Sequence, residues 1–398
     1  MHSFLHGENE RLTAYGHKVE CETAEVVERS AAFVIREIKV QARRMFAGAN
    51  TSTGFRSFYN FLIGSEAHRL IVLKGGPGVG KSTFIKHVAD ALIRSGYLVE
   101  LFHCSSDPDS LDGMAVPELE TAIVDGTAPH IVDPRYPGAV DEIVYLGDFW
   151  DESAIRSSRG QIIAVSKEAS RMFARAYRFL RTAGDVLDDW SEANTEALDT
   201  GKANIIASQT IQSLLGSGCD APTPGRTRQL FASAITPDGF VNYLDTLVAS
   251  CKDVYVVKGG PGTGKSTLLR RLADEALRRG LDIEMFHCSL NPSSVEHVII
   301  PEIGAAVITS VEPHEWILRE PDTVVDMDSC LDSDVVGRNE TITEYDRMLM
   351  NQTMNRAVHF LGLARDAHRR LESYYSPNVD FKAIAELRER TLERIIRG

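Results

Sequence analysis

Cysteine is scarce and unpatterned in this chain. Cys21, Cys104, Cys219, Cys251, Cys288 and Cys330 are scattered, and no two stand in C-x-x-C spacing. That excludes a zinc knuckle or a disulfide framework and points to a reducing, cytoplasmic setting. No apolar run approaches the roughly 18–20 residues of a membrane span, and the opening MHSFLHGENERL lacks the basic-then-apolar order of a secretory signal. No membrane partner is expected. Positive charge is also in deficit: 43 Lys and Arg stand against 56 Asp and Glu, a net charge of −13. Such a balance argues against bulk attraction to nucleic acid. The basic stretch 36–44 is the early exception, and it reads as a solvated helix face. The 43% hydrophobic and 25% charged residues are those of a soluble globular protein. The 398 residues suffice for two domains with a core each.

What the chain does contain is one glycine-rich motif twice. Gly75-Gly76-Pro77-Gly78-Val79-Gly80-Lys81-Ser82-Thr83 recurs as Gly259-Gly260-Pro261-Gly262-Thr263-Gly264-Lys265-Ser266-Thr267. Both fit G-x-x-x-x-G-K-[ST], follow an apolar run and open an amphipathic helical pattern (83–95 and 267–279), the context of a phosphate-binding loop. Glycines let the backbone turn tightly and aim N–H groups at phosphate oxygens at the positive end of a helix. Lys81 and Lys265 are then candidates for the β- and γ-phosphates, and Ser82 and Ser266 for Mg²⁺. Two nucleotide sites are expected. No N-K-x-D-type guanine reader lies near either loop, so ATP with Mg²⁺ is the expected ligand.

The repetition extends along the chain. Lys74 aligns with Lys258, 184 positions on, and 25 of the 57 positions in 74–130 are identical to those in 258–314. The shared pieces include Glu100 and Glu284, Phe102-His103-Cys104-Ser105 and Phe286-His287-Cys288-Ser289, Pro117-Glu118 and Pro301-Glu302, and Pro129-His130 and Pro313-His314. A lead-in, Phe46-Ala47-Gly48-Ala49-Asn50-Thr51 with Gly54-Phe55, recurs from Phe231. Arg175-Ala176 and Phe179-Leu180 return as Arg356-Ala357 and Phe360-Leu361. Helical periodicity runs from Ile162 to Trp190 and from Met354 to Leu371, with another helix near 381–396. The expected architecture is α/β: two tandem P-loop NTPase domains, each a mainly parallel sheet with flanking helices and an added helical hairpin. The boundaries read as an N-terminal extension at 1–42, containing a helix within 23–44, a first domain at 43–220, a turn-forming linker at 221–227, and a second domain at 228–398. Two similar domains suggest an intramolecular pseudo-dimer.

Turnover needs more than a phosphate cradle. Ala122-Ile123-Val124-Asp125 is an apolar strand ending in a carboxylate, which makes Asp125 a metal-shell candidate; a turn aspartate before Gly126 is the other reading. The aligned residue is Thr309, without charge, so the second site is expected to bind while chemistry concentrates at the first. Glu118 and Glu302 are candidates to polarise an attacking water, or else surface residues on an edge strand. His103-Cys104 and His287-Cys288 read mainly as core pairs, because adjacent strand residues point to opposite faces and do not chelate one ion. Asp107, Asp109 and Asp112, partly echoed as Asn291, Ser293 and Glu296, read first as a solvated loop and otherwise as contacts to a substrate or Mg²⁺. Arg175 and Arg356 are surface charges or arginine fingers.

The paired GGPGxGKST loops with their FHCS, PE and PH echoes resemble a bacterial family of tandem P-loop ATPases or nucleotide-kinase-like proteins, over roughly residue 43 to the end. The resemblance implies a P-loop NTPase fold, Mg-nucleotide binding and a cytoplasmic location. Three activities fit: an Mg-dependent ATPase with catalytic Lys81, Asp125 and Glu118, matched by Lys265 and Glu302; a kinase passing the γ-phosphoryl to a small acceptor under a helical lid; and a non-catalytic regulator in which bound ATP fixes the packing of the halves.

Overall fold

A computed structural model describes residues 42–64, 67–129, 131–217 and 220–397. The helix expected within 23–44 lies outside them up to residue 41; from there the chain is a strand, β1 (Ala42–Met45). The basic stretch therefore ends in a sheet, not on a solvated helix face. The lead-in motif forms a hairpin, β2 (Gly48–Thr51) and β3 (Gly54–Ser57). Next come β4 (Arg69–Lys74), α1 (Lys81–Arg94), β5 (Val99–Cys104), β6 (Asp107–Val116), β7 (Thr121–Asp125) and β8 (Asp141–Tyr145). Three helices close the half: α2 (Glu152–Ser157), α3 (Arg159–Glu196) and α4 (Thr200–Leu215).

The second half repeats this order. It runs β9 (Thr227–Leu230), the hairpin β10 (Ser233–Thr236) and β11 (Gly239–Asn242), and a short α5 (Leu244–Leu247). Then follow β12 (Asp253–Lys258), α6 (Lys265–Arg278), β13 (Ile283–His287), β14 (Val295–Ile300), β15 (Ala305–Thr309) and β16 (Thr323–Asp326). It ends with α7 (Ser333–Tyr375) and α8 (Phe381–Arg397).

Each half carries a six-stranded sheet, in the orders β1-β5-β6-β7-β4-β8 and β9-β13-β14-β15-β12-β16. Both sheets are mixed. β4 is parallel to β7 and β8, and β1 to β5, whereas β6 is antiparallel to both its neighbours. The second sheet repeats this with β14 reversed. The reversal follows from connection length, since a strand joined to the next by a short turn must run back antiparallel. Strand periodicity then sorts the cores. Ile71, Leu73, Met114 and Ile123 face α1, and Val257, Val298, Ile300 and Val307 face α6. The alternate residues Val72, Phe102 and Val124, with Val256, Phe286 and Ile308, join one apolar core shared by both halves.

The halves are further joined through a backbone bridge, Phe46 N–H to Phe231 O at 2.9 Å and the reverse at 3.0 Å. They also exchange their helices. α3 and α7 lie antiparallel, packed through Ala176, Leu180 and Ala183 against Ala357, Phe360 and Leu361. At 1.5 Å per residue they span about 57 and about 65 Å. The helical hairpin expected within each half is thus formed between halves. Beyond it, α4 packs on α6 of the second half through Ala203, Ile206 and Ala207, while α8 packs on the first half's core through Ile384 and Ile395. The expected cuts at 220 and 228 mark where the sequence begins to repeat, and packing crosses them. No helix among the described residues is long and apolar enough to cross a membrane.

Candidate functional site

The glycine motifs sit where β4 and β12 hand over to α1 and α6. Each turn enters its helix through a glycine in the left-handed region, Gly80 at φ 88° and Gly264 at φ 89°, a conformation only glycine adopts without strain. Neither helix start is capped by a side chain. By contrast α2, α4 and α7 each begin with a capping aspartate: Asp151, Asp199 and Asp332. The first-turn N–H groups of α1 and α6 are therefore left for an anion.

The lysines fold back over the turns. Lys81 Nζ donates to the carbonyls of Gly76 (2.8 Å) and Gly75 (3.2 Å), and Lys265 Nζ to that of Gly259 (2.6 Å) and to that of Gly260. The serines behave alike. Ser82 Oγ accepts the N–H of Leu111 at 2.9 Å, and Ser266 Oγ that of Val295 at 3.1 Å. A hydroxyl has two lone pairs, so each keeps one for a cation.

Asp125 ends β7 beside Leu73 of β4, which brings Oδ2 to 3.6 Å from Lys81 Nζ. Its Oδ1 is held by the N–H and hydroxyl of Thr127, at 2.9 and 2.6 Å. At the second turn Thr309 is buried and its Oγ1 has no hydrogen-bond partner. Burial there lowers Lys265 to about 8, against the opposing pull of Asp328, Glu296 and Cys288. Asp328 also accepts the N–H of Gly260 at 2.9 Å.

Glu118 and Glu302 are not in either site. Both lie exposed in the short turns before β7 and β15, at the strand ends remote from the glycine turns. The five residues of β7 span about 13 Å from Thr121 to Asp125, and Glu118 lies in the turn before that strand begins. Glu302 accepts the N–H of Asp282, at 3.3 Å. The prolines preceding them begin these turns, and the apolar residues around them belong to sheet strands whose far ends adjoin the glycine turns. Arg175 and Arg356 are also removed. Their guanidiniums stack on the Phe360 ring at 4.5 and 4.9 Å, midway along the α3–α7 pair.

His103 and His287 are core residues between the halves. His103 packs on Tyr243 with centroids 4.5 Å apart, and His287 on Phe58 at 4.9 Å. Tyr243 and Phe58 are equivalent positions of opposite halves. His103 Nδ1 stands 2.7 Å from the Pro108 carbonyl, so that nitrogen carries the proton. Burial raises the Cys104 and Cys288 thiols well above the ordinary range. No group of three or more His, Cys, Asp or Glu among the described residues is placed to hold a metal ion. His130 lies outside the described residues, whereas His314 is buried 3.4 Å from Glu296.

Three features escaped sequence reasoning. Asp112 and Glu296 are buried, 6% and 8% exposed, and do not belong to a solvated loop. Their one-residue chemical echo within a poorly matched stretch was the signal. Arg43 and Arg228, at equivalent positions, meet Glu100 and Glu284 in one cluster. Finally, each glycine turn is covered by the far end of a long helix. Ser376, just past α7, donates to Gly78 O at 3.0 Å, and a side chain at Gly78 would strike Ser376 and Glu372. Asn194 of α3 donates to Pro261 O at 2.8 Å, and a side chain at Gly262 would strike Ser191. Two surface clefts among the described residues, 490 Å³ between α4 and α6 and 480 Å³ beside Arg69 and Pro134, adjoin neither turn.

Comparison of the chain with protein-family models, with curated proteins and with solved structures returned no match.

Proposed function

We propose that the protein binds Mg-ATP at both glycine turns and hydrolyses it mainly at the first. The supporting observation is the meeting of Lys81, Ser82 and Asp125 at an uncapped helix start, with Lys81 Nζ 3.6 Å from Asp125 Oδ2. The residues suit these ligands: open N–H groups and an ammonium for phosphates, a hydroxyl lone pair for Mg²⁺, and Asp125 Oδ2 for the same ion once Lys81 turns to the phosphates. Bound Mg²⁺ would supply charge neutralisation on the β- and γ-phosphates. The backbone of 75–82 would orient the triphosphate, Lys81 would leave the glycine carbonyls for it, and Ser82 and Asp125 would hold the metal. Thr309 brings no charge to the second turn, so binding is favoured there over turnover.

The halves form an intramolecular pseudo-dimer in this reading, with each site roofed by the other half's helix end. Water-excluding roofs of this kind suit phosphoryl chemistry. The setting is cytoplasmic.

The test compares Lys81→Ala with Lys265→Ala. ATP stoichiometry by calorimetry should fall from two to one in each. Phosphate release should vanish in Lys81→Ala and largely persist in Lys265→Ala. The opposite pattern of release overturns the ranking of the sites, and unchanged stoichiometry overturns the sites themselves.

A further inference from the structure

β6 and β14 each carry a bulge at the same place. Phe102 pairs with Gly113 and His103 with Leu111, so Asp112 is the extra residue; Phe286 pairs with His297 and His287 with Val295, so Glu296 is the extra residue. A bulge re-aims the side chain it inserts, and bulges recur beside active sites. Leu111 packs in the core under α1 and Val295 in the core under α6. Their N–H groups are the ones that bind Ser82 Oγ and Ser266 Oγ. The carboxylate-bearing residue therefore follows directly on the serine's partner in both halves.

Cross-strand register completes the picture. Gly113 pairs with Val124 and His297 with Ile308. One step further along, Asp112 comes opposite Asp125 and Glu296 opposite Thr309. Val307 faces α6, and Thr309, two residues on, shares that face. On these two strands the first turn thus has two carboxylates, Asp112 and Asp125, and the second has one, Glu296, longer than Asp112 by a methylene; Asp328 at the second turn is engaged by the Gly260 N–H.

The two acids differ in their partners. Asp112 accepts the Tyr59 hydroxyl at 2.7 Å. Glu296 Oε1 lies 3.4 Å from His314 Nε2; its Oε2 stands 3.9 Å from His297 Nε2 and is buried without a hydrogen bond, as is Thr309 Oγ1. A buried carboxylate oxygen left without a hydrogen bond is costly unless a ligand completes it.

We infer that Glu296 supplies the carboxylate of the divalent-cation shell at the second glycine turn, in place of the aspartate that position 309 lacks. This rests on the reading of that turn as a Mg-nucleotide site. Ser266, Glu296 and the nucleotide's phosphates would share the ion, which suits Mg²⁺, usually held by one or two carboxylates plus phosphates and water.

The experiment uses the full-length chain carrying Lys81→Ala, so that the second turn reports alone. ATP affinity is measured by calorimetry with Mg²⁺ and with EDTA. Mg²⁺ should tighten binding, and Glu296→Gln should reduce that tightening, read as the ratio of affinities with and without Mg²⁺, by about tenfold or more. Adding Thr309→Asp to Glu296→Gln should restore it. If Glu296→Gln does not fold, Glu296→Asp keeps the charge but shortens the reach, and a partial loss of tightening is expected. Mg²⁺ tightening that is indifferent to residue 296 overturns the inference and leaves the nucleotide site standing. Absence of ATP binding with and without Mg²⁺ overturns both.

Discussion

Arg43 and Glu284, 241 residues apart in the chain, meet across the boundary between the halves, with Nη1 2.9 Å from Oε1. Arg43 also reaches Glu100 at 2.9 Å, and Arg228 binds Glu100 at 2.6 Å and Glu284 at 3.3 Å. Two equivalent arginines and two equivalent glutamates thus close a four-membered cluster, largely withdrawn from water. Burial pulls the Arg43 guanidinium down, yet Glu284 and Glu100 overcome it, and its pKa stands above the ordinary value. Burial likewise pushes the Glu284 carboxyl up, and Arg43 and Arg228 bring it below the usual range.

Removing one member of this cluster should be severe. Arg43→Ala leaves two buried carboxylates to Arg228 alone, and breaking a buried pair costs about 3–5 kcal/mol. Urea unfolding monitored by fluorescence checks this. A double-mutant cycle with Glu284→Ala should give a coupling of about 1–3 kcal/mol. Additive losses would mean that the two charges do not support one another.

Acid should loosen the contact between halves through His103 and His287. Burial lowers both rings from 6.5 to about 4, opposed by the carbonyls of Pro108 and Pro292. Arg44 and Lys86 add to the lowering at His103, as do Arg270 and Arg56 at His287; Asp109 and Glu296 act the other way. Between 6.5 and 4 the unfolded chain binds protons that the folded rings refuse. Their contribution is therefore complete above pH 6.5, declines as pH falls, and is gone below 4. It amounts to about 3 kcal/mol per ring. Unfolding midpoints followed from neutral to acid pH should show this decline, and His103→Phe should flatten it. A slope unaffected by that change would assign the acid sensitivity elsewhere.

The second turn should lose its grip on phosphate in alkali. Lys265 sits at about 8 because burial disfavours its charge. In the chain carrying Lys81→Ala, ATP affinity should fall as pH rises through that value, by at most about tenfold for each further unit. Lys265→Arg keeps its charge throughout and should be level over the same range. Calorimetry across the two variants separates an effect of this ammonium from a general alkaline weakening.

Much of this was legible in the sequence, for definite physical reasons. The loops, the strands around them and the alignment of the halves follow from short-range rules of turn, period and spacing. The Asp125–Lys81 meeting was accessible too, since a strand ending in aspartate places its carboxylate at the edge where open sheets bind ligands. The reversal of β6 and β14 was hidden, because apolar alternation is blind to strand direction. It displaced Glu118 and Glu302 to the far edge and concealed the bulges at Asp112 and Glu296. The exchange of α4 and α8 was hidden as well. An amphipathic helix records that it has a partner face, and nothing in its period says which half supplies it.

That exchange makes a local change register in a distant place. Ile384 and Ile395 of α8 are buried against the first half's core, with Phe84, Ile85 and Ile123, although they follow the second half in sequence. Ile384→Ala or Ile395→Ala should cost about 2–5 kcal/mol each. The loss should appear in native-state hydrogen exchange at β4 and β7, whose amides sit beneath α1 and α8, before it appears at β12 and β15. The mirror experiment is Ala207→Asp in α4, which buries a charge against Leu268 and Leu272 and should expose β12 and β15 first. A chain cut between residues 217 and 220 would leave α4 without its partner face, and the first half would lack α8. Neither piece should be stable alone, whereas the two pieces mixed should assemble, as measured by calorimetric unfolding. If the piece ending at 217 unfolds cooperatively by itself with β4 and β7 protected, α8 is dispensable and the packing across the boundary contributes little.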